Sequence, residues 1–453
     1  MTPDQILALG AAFAAYLRLF ESCFVNERSP LHFHSYCRGL LSDLARKSIE
    51  PMALACGTAV RTLQEFLRNH VWNQYQMRDQ LQQKVAGEPA TDPDHDLGTL
   101  GLIDETSQAK KGTKTPGVHR QWCGSRGKID NCIVTVHLGI VRGAFKTLVD
   151  AELFLPKVWS EDRERCREAE IPDEVVYRPK WRIALEQLDR AEANGLHLNW
   201  LTFDEYYGSK PAFLADLDGR AGMAYVGEVP KNFRCLAVRP RGRKPKRGWK
   251  GKRADNLARF RSAWNRRDGD KVSLSRLTLD DQEWEVRSGQ VYLVRNGELT
   301  DRTYGLIVAR NVATGEVKYF ISNAPPETAL EKLLRVAFSR WNVEHTFRVA
   351  KSEIGFGHFE GRSYVALMRH LILCLVVMGF VAEQTERLRG GKPRDHSGAD
   401  LPSTEPTVPS LAGESTGDDL ARVHGDGHPL SPTAKSSRPT LTPKGNAHAQ
   451  LAL

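Results

Sequence analysis

Apolar residues recur at three- and four-residue spacing through the first 85 positions, as in Leu40-Leu41-Leu44 and Leu63-Phe66-Leu67. That spacing predicts helices with one buried stripe. Their polar face is basic (Arg38, Arg46, Lys47, Arg61, Arg68) and reads equally as a solvated surface or as a nucleic-acid-binding one. Gly87 to Asp96, with two prolines and three aspartates, reads as a linker. The pattern then changes. Leu100 to Ile103 is a short apolar run ending at Asp104, and Ile133–Ile140 and Phe145–Phe154 read as further strands. A helical stripe follows (Trp181, Ala184, Leu185, Leu188, Ala191), stopped by Gly195. Leu196–Phe203 reads as a strand ending on Asp204, Pro211 opens a helix, and Met223–Val229 reads as another strand. Strand, helix, strand, helix, strand predicts an α/β layout.

Between 233 and about 325 the pattern differs again. The runs Val291–Val294, Tyr304–Val308 and Val317–Ile321 are separated by Asn296-Gly297 and Thr314-Gly315, which predicts an all-β insertion of hairpins. Helical spacing resumes at Pro326 and lasts to about Arg387, and the remainder lacks apolar periodicity and reads as disordered. The expected division is 1–86 helical, 97–232 α/β, 233–325 β-rich, 326–387 helical and 388–453 tail. Two apolar stretches test the membrane alternative. Ile6–Phe20 has Asp4 where a secretory leader carries positive charge, and Arg18 interrupts it, so it reads as an amphipathic helix. Leu371–Ala382 is too short to span a bilayer and reads as a buried helix.

Composition adds a partner class. The 453 residues are 41% hydrophobic, ample for a sizeable core, and carry a formal net charge of +9. Nine basic residues and no acid lie between Arg239 and Arg253, among them Arg241, Arg243, Lys244, Lys246 and Arg247. Without them the rest of the chain is formally neutral. Such a block reads either as a solvated segment or as a counterion-releasing contact to a nucleic-acid backbone. The eight cysteines are scattered without Cys-x-x-Cys or Cys/His clusters, which argues against a zinc site or a disulfide framework and fits a reducing cytosol.

Asp104 and Asp204 each follow an apolar run, in Leu102-Ile-Asp-Glu-Thr106 and Leu201-Thr-Phe-Asp-Glu-Tyr-Tyr-Gly208. At the carboxyl ends of sheet strands, two such carboxylates bridge hard cations, although aspartates there also cap helices and turns. The neighbours Glu105 and Glu205 are rival ligands, pointing to the opposite face if each strand continues. Arg340 to Lys351 reads as a helix with the stripe Val343, Phe347, Ala350 and Ile354. Arg340 and Lys351 lie within about 40° of Glu344 on the wheel, which suits a functional face or a surface ion-pair row. His345 falls about 100° round the helix, as a supporting or surface residue. The loop carrying Lys114, His119, Arg120 and Trp122 reads as an exposed hairpin or as a basic, aromatic contact to nucleic acid.

Asp104, Asp204 and Glu344, in this order, resemble the triad of the DDE transposases of bacterial insertion sequences. The Arg340–Lys351 helix looks like the Tyr-x-x-Arg-x-x-x-Glu-x-x-x-x-x-x-Lys signature of the cut-and-paste branch. Arg340, Glu344 and Lys351 match its last three positions, and Ala337 stands where the tyrosine belongs. Asp104–Gly112, Gly117–Trp122, Gly127–Asn131, Asp204–Gly208 and Ser322–Pro325 are similar to that family too, so the resemblance covers roughly residues 25–385. It implies a ribonuclease H-like catalytic domain with a β insertion and a helical N-terminal domain. It implies two Mg²⁺ ions (Mn²⁺ substituting) held by Asp104, Asp204 and Glu344, with Arg340 and Lys351 on phosphates. The implied partner is double-stranded DNA, at transposon ends and target, bound by a homodimer in the cytoplasm at the nucleoid and not at a membrane. The alternatives are a ribonuclease H-like nuclease that does not rejoin strands, and an inactive DNA-binding descendant.

Overall fold

The run from Leu100 to Ile103 does not stop at Asp104. In the computed structural model, which describes residues 3–88, 97–259, 274–279 and 282–389, strand β1 spans Leu100–Ala109. It continues because its antiparallel neighbour β3 (Lys128–Arg142) pairs along its whole length, from Leu100 opposite Val141 to Ala109 opposite Cys132. The expectation of a strand ending at Asp104 is thereby corrected. What ends there is the neighbour on the other side. Strand β5 (Trp200–Phe203) runs parallel to β1 and stops with Phe203 opposite Ile103, which leaves one flank of Asp104 without a strand.

Around these strands lies one mixed sheet. The far edge of β3 carries β2 (His119–Cys123) and then β4 (Phe145–Leu153). Beyond β5 comes β6 (Ala224–Glu228), again parallel. Strands β7 (Arg234–Leu236), β8 (Lys252–Arg253), β9 (Leu274–Leu279), β10 (Gln282–Arg295), β11 (Glu298–Leu299), β12 (Tyr304–Asn311) and β13 (Val317–Ser322) complete it. The β-rich stretch continues the sheet, since β13 pairs antiparallel with β6. The Asn296-Gly297 turn is the expected two-residue hairpin, with φ of +50° and +79° between the paired Arg295 and Glu298. Both positions need the left-handed region, which Asn and Gly reach at least cost.

Residues 3–87 are mostly helical, with helices Pro3–Arg18, Ser29–Leu41, Ile49–Ala55, Val60–Arg68 and Gln74–Gly87. Their basic face is largely committed inside the chain. Lys47 is buried and donates to the carbonyls of Leu40 and Glu353, while Arg46 pairs with Glu360 and Arg68 with Glu170. The contacts to Glu353 and Glu360 hold the helices to the C-terminal half, and that to Glu170 holds them to the α/β part. The linker expected at 87–96 falls, from 89 on, outside the described residues, and so does the tail from 390.

The apolar run at Leu371–Ala382 is the middle of a longer helix, Tyr364–Arg389, packed on β4 and on four of the N-terminal helices. By length and hydropathy it could cross a membrane, but 89% of its apolar window is buried inside the protein, as a core helix would be. Its polar groups reach the N-terminal helices. Tyr16 Oη donates to the Val376 carbonyl at 3.0 Å, and Arg369 donates to the carbonyls of Leu67 and Trp72 at 2.9 and 2.8 Å. Truncating its fully buried Leu371 to alanine should cost roughly 2–5 kcal/mol, from lost apolar burial plus a residual cavity. Leu19→Ala, at a side chain 57% exposed, should stay within about 0.5 kcal/mol. Denaturant midpoints of the two variants check this, and equal small shifts would remove the helix from the core.

Candidate active site

Asp104 sits in the middle of β1 and Asp204 one residue beyond the end of β5, so the parallel register that sets Ile103 opposite Phe203 brings them level. Asp204 caps the helical turn Glu205–Gly208, its Oδ1 accepting from the N–H groups of Tyr206 and Tyr207 at 3.0 and 3.3 Å. Capping and a place beside Asp104 are therefore compatible, because the cap occupies a single oxygen. The turn is pressed against β6, and a Cβ on Gly208 would stand 2.0 Å from the Glu228 carbonyl oxygen. No larger residue fits there, which gives the glycine of Asp204-Glu-Tyr-Tyr-Gly208 a steric reason.

Both carboxyls are pushed up, Asp104 to about 7 and Asp204 to about 6. Burial is the largest cause in each case. For Asp104 the next is the Asp204 charge, and for Asp204 it is Glu105. Arg340 and backbone N–H groups offset part of this. As for the rivals, Glu205 is exposed, and Glu105 is held by Lys180 Nζ at 2.6 Å, the ammonium lying 4.4 Å from the Tyr206 ring centroid.

The helix expected at 340–351 spans Trp341–Ser352, with Arg340 at its N-cap position. Its stripe is buried at Phe347 and Ala350, and Ile354 follows just past its end. Glu344 belongs to its first turn, but the side chains of 341–344 lie outside the described residues. Arg340 Nη1 lies 3.7 Å from Asp104 Oδ2, and its Nε lies 3.9 Å from Glu228 Oε2. Lys351 sits close enough to feel the Asp104 charge, and burial lowers its ammonium. An open cavity of about 530 Å³ is lined by Asp104, Thr106, Phe347, Arg348 and Lys351, among others. His345 is exposed.

Three further residues stand at this site that the sequence reading did not assign to it. Arg348 lines the cavity beside Lys351. Glu228 shares Arg340 with Asp104, and its position at a strand end was its single available sign. His137 is the cross-strand partner of Asp104, fully buried, its ring 5.0 Å from Phe347. Burial holds that imidazole neutral, down to about 3, and among the described residues its Nδ1 has no partner.

The other expected residues lie apart from this cavity lining. His119, Arg120 and Trp122 belong to edge strand β2, where Arg120 and Trp122 face solvent, Trp122 61% exposed and opposite the equally exposed Ile129. Lys114 lies 3.7 Å from Glu168 on the surface. Arg241, Arg243, Lys244, Lys246 and Arg247 are all exposed on an irregular segment that is anchored and not free. Trp249 N–H donates to the Gly297 carbonyl at 2.7 Å, and Lys244 pairs with Glu298.

Asp104 and Asp204 are neighbouring hard oxygen donors whose charged forms are only partly compensated by Arg340 and backbone N–H groups, which suits a divalent cation of the Mg²⁺ type. Among the described residues no group of three ligating side chains comes together, the Glu344 carboxylate not being one of them. A model of the DDE superfamily endonuclease family matches residues 20–290 of this chain, a span that includes both aspartates and ends before Arg340. The chain is also 30% identical over 223 residues to the probable transposase for insertion sequence element IS701 of Microchaete diplosiphon. That alignment covers 48% of this chain and 53% of the relative, about half the length of each.

The raised carboxyl sets a direction for stability. A folded-state value of about 7 against an unfolded one near 3.8 means that the contribution of Asp104 is complete below pH 4 and lost as pH rises through 7. Without metal, Asp104→Asn should therefore melt above the unsubstituted protein at pH 8 and close to it at pH 4. A lower melting temperature at pH 8 would show that the carboxylate is not held in a desolvated place.

Proposed function

The chain belongs to the DDE superfamily of endonucleases, and from that premise we propose that it is a transposase. It binds the ends of an insertion sequence, cuts the DNA there by metal-dependent phosphoryl transfer and joins the 3′ ends to a target. The observation that carries the reading is the pair Asp104–Asp204, level at the gap where β5 ends and both destabilised in their charged forms. The strand order β4-β3-β1-β5-β6, with β1, β5 and β6 parallel, supports a ribonuclease H-like domain, with residues 233–325 as an insertion before the last helices.

Asp104, Asp204 and Glu344 would hold two Mg²⁺ ions, or Mn²⁺. Bound there, the metal would activate the attacking oxygen and stabilise the leaving one. The chain's own groups do the rest. Arg340 offers a planar fork and Lys351 a point charge to the phosphate at the scissile bond, with Arg348 beside them. The Trp122 hairpin and the basic segment Arg241–Arg247 lie on exposed surfaces suited to DNA outside the site, the tryptophan face for stacking and the cations for the backbone. Ala337 in place of the signature tyrosine leaves the branch assignment resting on Arg340, Glu344 and Lys351. A DNA-bound homodimer working in the cytoplasm on nucleoid DNA completes the reading.

The test is single-turnover reaction of labelled DNA carrying the inverted repeats that flank the gene. Asp104→Asn, Asp204→Asn and Glu344→Gln should each reduce cleavage to background while end binding persists, because each removes a ligand at nearly constant shape. Cleavage near the unsubstituted rate in any one removes that residue from the set. Hydrolysed product without joined product would make the chain a nuclease, and a shifted band alone a DNA-binding protein.

Neutralising Arg241, Arg243, Lys244, Lys246 and Arg247 together should weaken binding and flatten its salt dependence, by about 0.9 in log–log slope per lost phosphate contact. An unchanged slope would return the segment to a solvated surface.

A further inference from the structure

Glu228 ends β6 on the same level as the two aspartates. Ile103 lies opposite Phe203 and Leu201 opposite Tyr225, so Asp104, Asp204 and Glu228 occupy one row across three parallel neighbours. Its backbone is fixed from both sides, by pairing with Phe320 of β13 and by Gly208 against its carbonyl. Its carboxylate is spoken for by two cations. Lys318 Nζ lies 3.3 Å from Oε1, and Arg340 Nε lies 3.9 Å from Oε2. The same guanidinium reaches Asp104 with Nη1 at 3.7 Å, and the three side chains keep only 14–18% of their surface exposed.

We propose that Glu228 is the positioning residue of Arg340: it holds the Nε edge of the guanidinium so that the Nη edge faces the Asp104–Asp204 gap, where a DNA phosphate arrives. The inference rests on the endonuclease reading above. A guanidinium is a rigid fork with donors on two edges, so fixing one edge aims the other. In the free protein Arg340 lies within ion-pair reach of both Asp104 and Glu228. When cations occupy Asp104 that contact is weakened, while the contact to Glu228 lies outside the gap and persists. Lys318, which also lies 3.4 Å from Glu316 Oε1, offsets part of the Glu228 charge on its second oxygen and so lessens its repulsion of an incoming phosphate. An arginine on a helix N-cap with no second anchor would sample several rotamers and meet the phosphate in few of them.

Two measurements test this. The first needs neither metal nor DNA: melting temperatures of Glu228→Gln, Arg340→Ala and the double variant. The expected double-variant loss is smaller than the sum of the single losses, because both remove one contact. The second is single-turnover cleavage of pre-bound ends. Glu228→Gln should slow it by on the order of 10- to 100-fold, as for other residues that orient a contact group, with end affinity changed less than about threefold. Added to Arg340→Ala, it should slow cleavage no further. Additive melting losses, a Glu228→Gln rate equal to the unsubstituted one, or a further loss in the Arg340→Ala background would each overturn the proposal. The last of these would mark Glu228 as acting directly. If the unsubstituted protein does not cleave at all, the endonuclease reading fails, and the melting cycle alone decides whether Glu228 holds Arg340.

Discussion

The parallel pairing of β1 with β5, and its early end, is the constraint on which the site depends. Four residue pairs, from Leu100–Trp200 to Ile103–Phe203, bring together two segments a hundred residues apart. Because a strand's side chains alternate with a period of two, a slip by one residue would carry Asp104 to the opposite face of the sheet. The pairing is protected by burial, since Leu100, Leu102, Ile103, Leu201 and Phe203 are all inside. On the other flank β3 pairs with β1 well past Asp104, so the aspartate is rigid on one side and open on the other. A rigid donor beside an open gap is what a preorganised electrostatic site needs.

The electrostatics follow from that placement. Two carboxyls brought out of water and near each other lose the hydration that favours their charged forms, and the protein supplies only partial compensation through Arg340 and a few N–H groups. Folding therefore stores an unfavourable arrangement that a doubly charged cation would relieve. A stability-optimised surface would use an isolated pair or none, so the arrangement points to chemistry.

The other described elements keep the gap in place. The long helix Tyr364–Arg389 joins the N-terminal helices to β4 through buried apolar contacts and the Arg369 and Tyr16 hydrogen bonds. The helix bearing Arg340 and Lys351 is laid over the sheet by Phe347 against His137. On the other side Asp218, which follows the Pro211–Leu217 helix, accepts from Arg295 Nη2 and Tyr304 Oη at 2.6 Å each, and from Arg302. Trp284 of β10 packs on Phe338 at 4.6 Å. These contacts tie the β-rich stretch to the end of the Pro211–Leu217 helix and to the helix just before Arg340.

The sequence by itself determined the local elements: the α/β succession, the N-terminal helices, the Asn296-Gly297 hairpin, and the helix beginning at Arg340. Each is specified within a dozen residues by periodicity and by Gly, Asn or Pro, whose backbone preferences act locally. It also singled out Asp104, Asp204 and the Arg340–Lys351 face, because a carboxylate after an apolar run and a helical spacing are both written in order along the chain. Tertiary structure decided the rest. That β1 runs on to Ala109 depends on a partner strand, not on its own polar residues Glu105 to Gln108. Lys47 reads as surface and is buried, because the nearby Leu40 carbonyl and the distant Glu353 carbonyl are there to receive it. Glu228 and His137 join Asp104 only through strand register. Pairing between strands is a long-range choice made by burial and backbone hydrogen bonds, and no short stretch of sequence contains it.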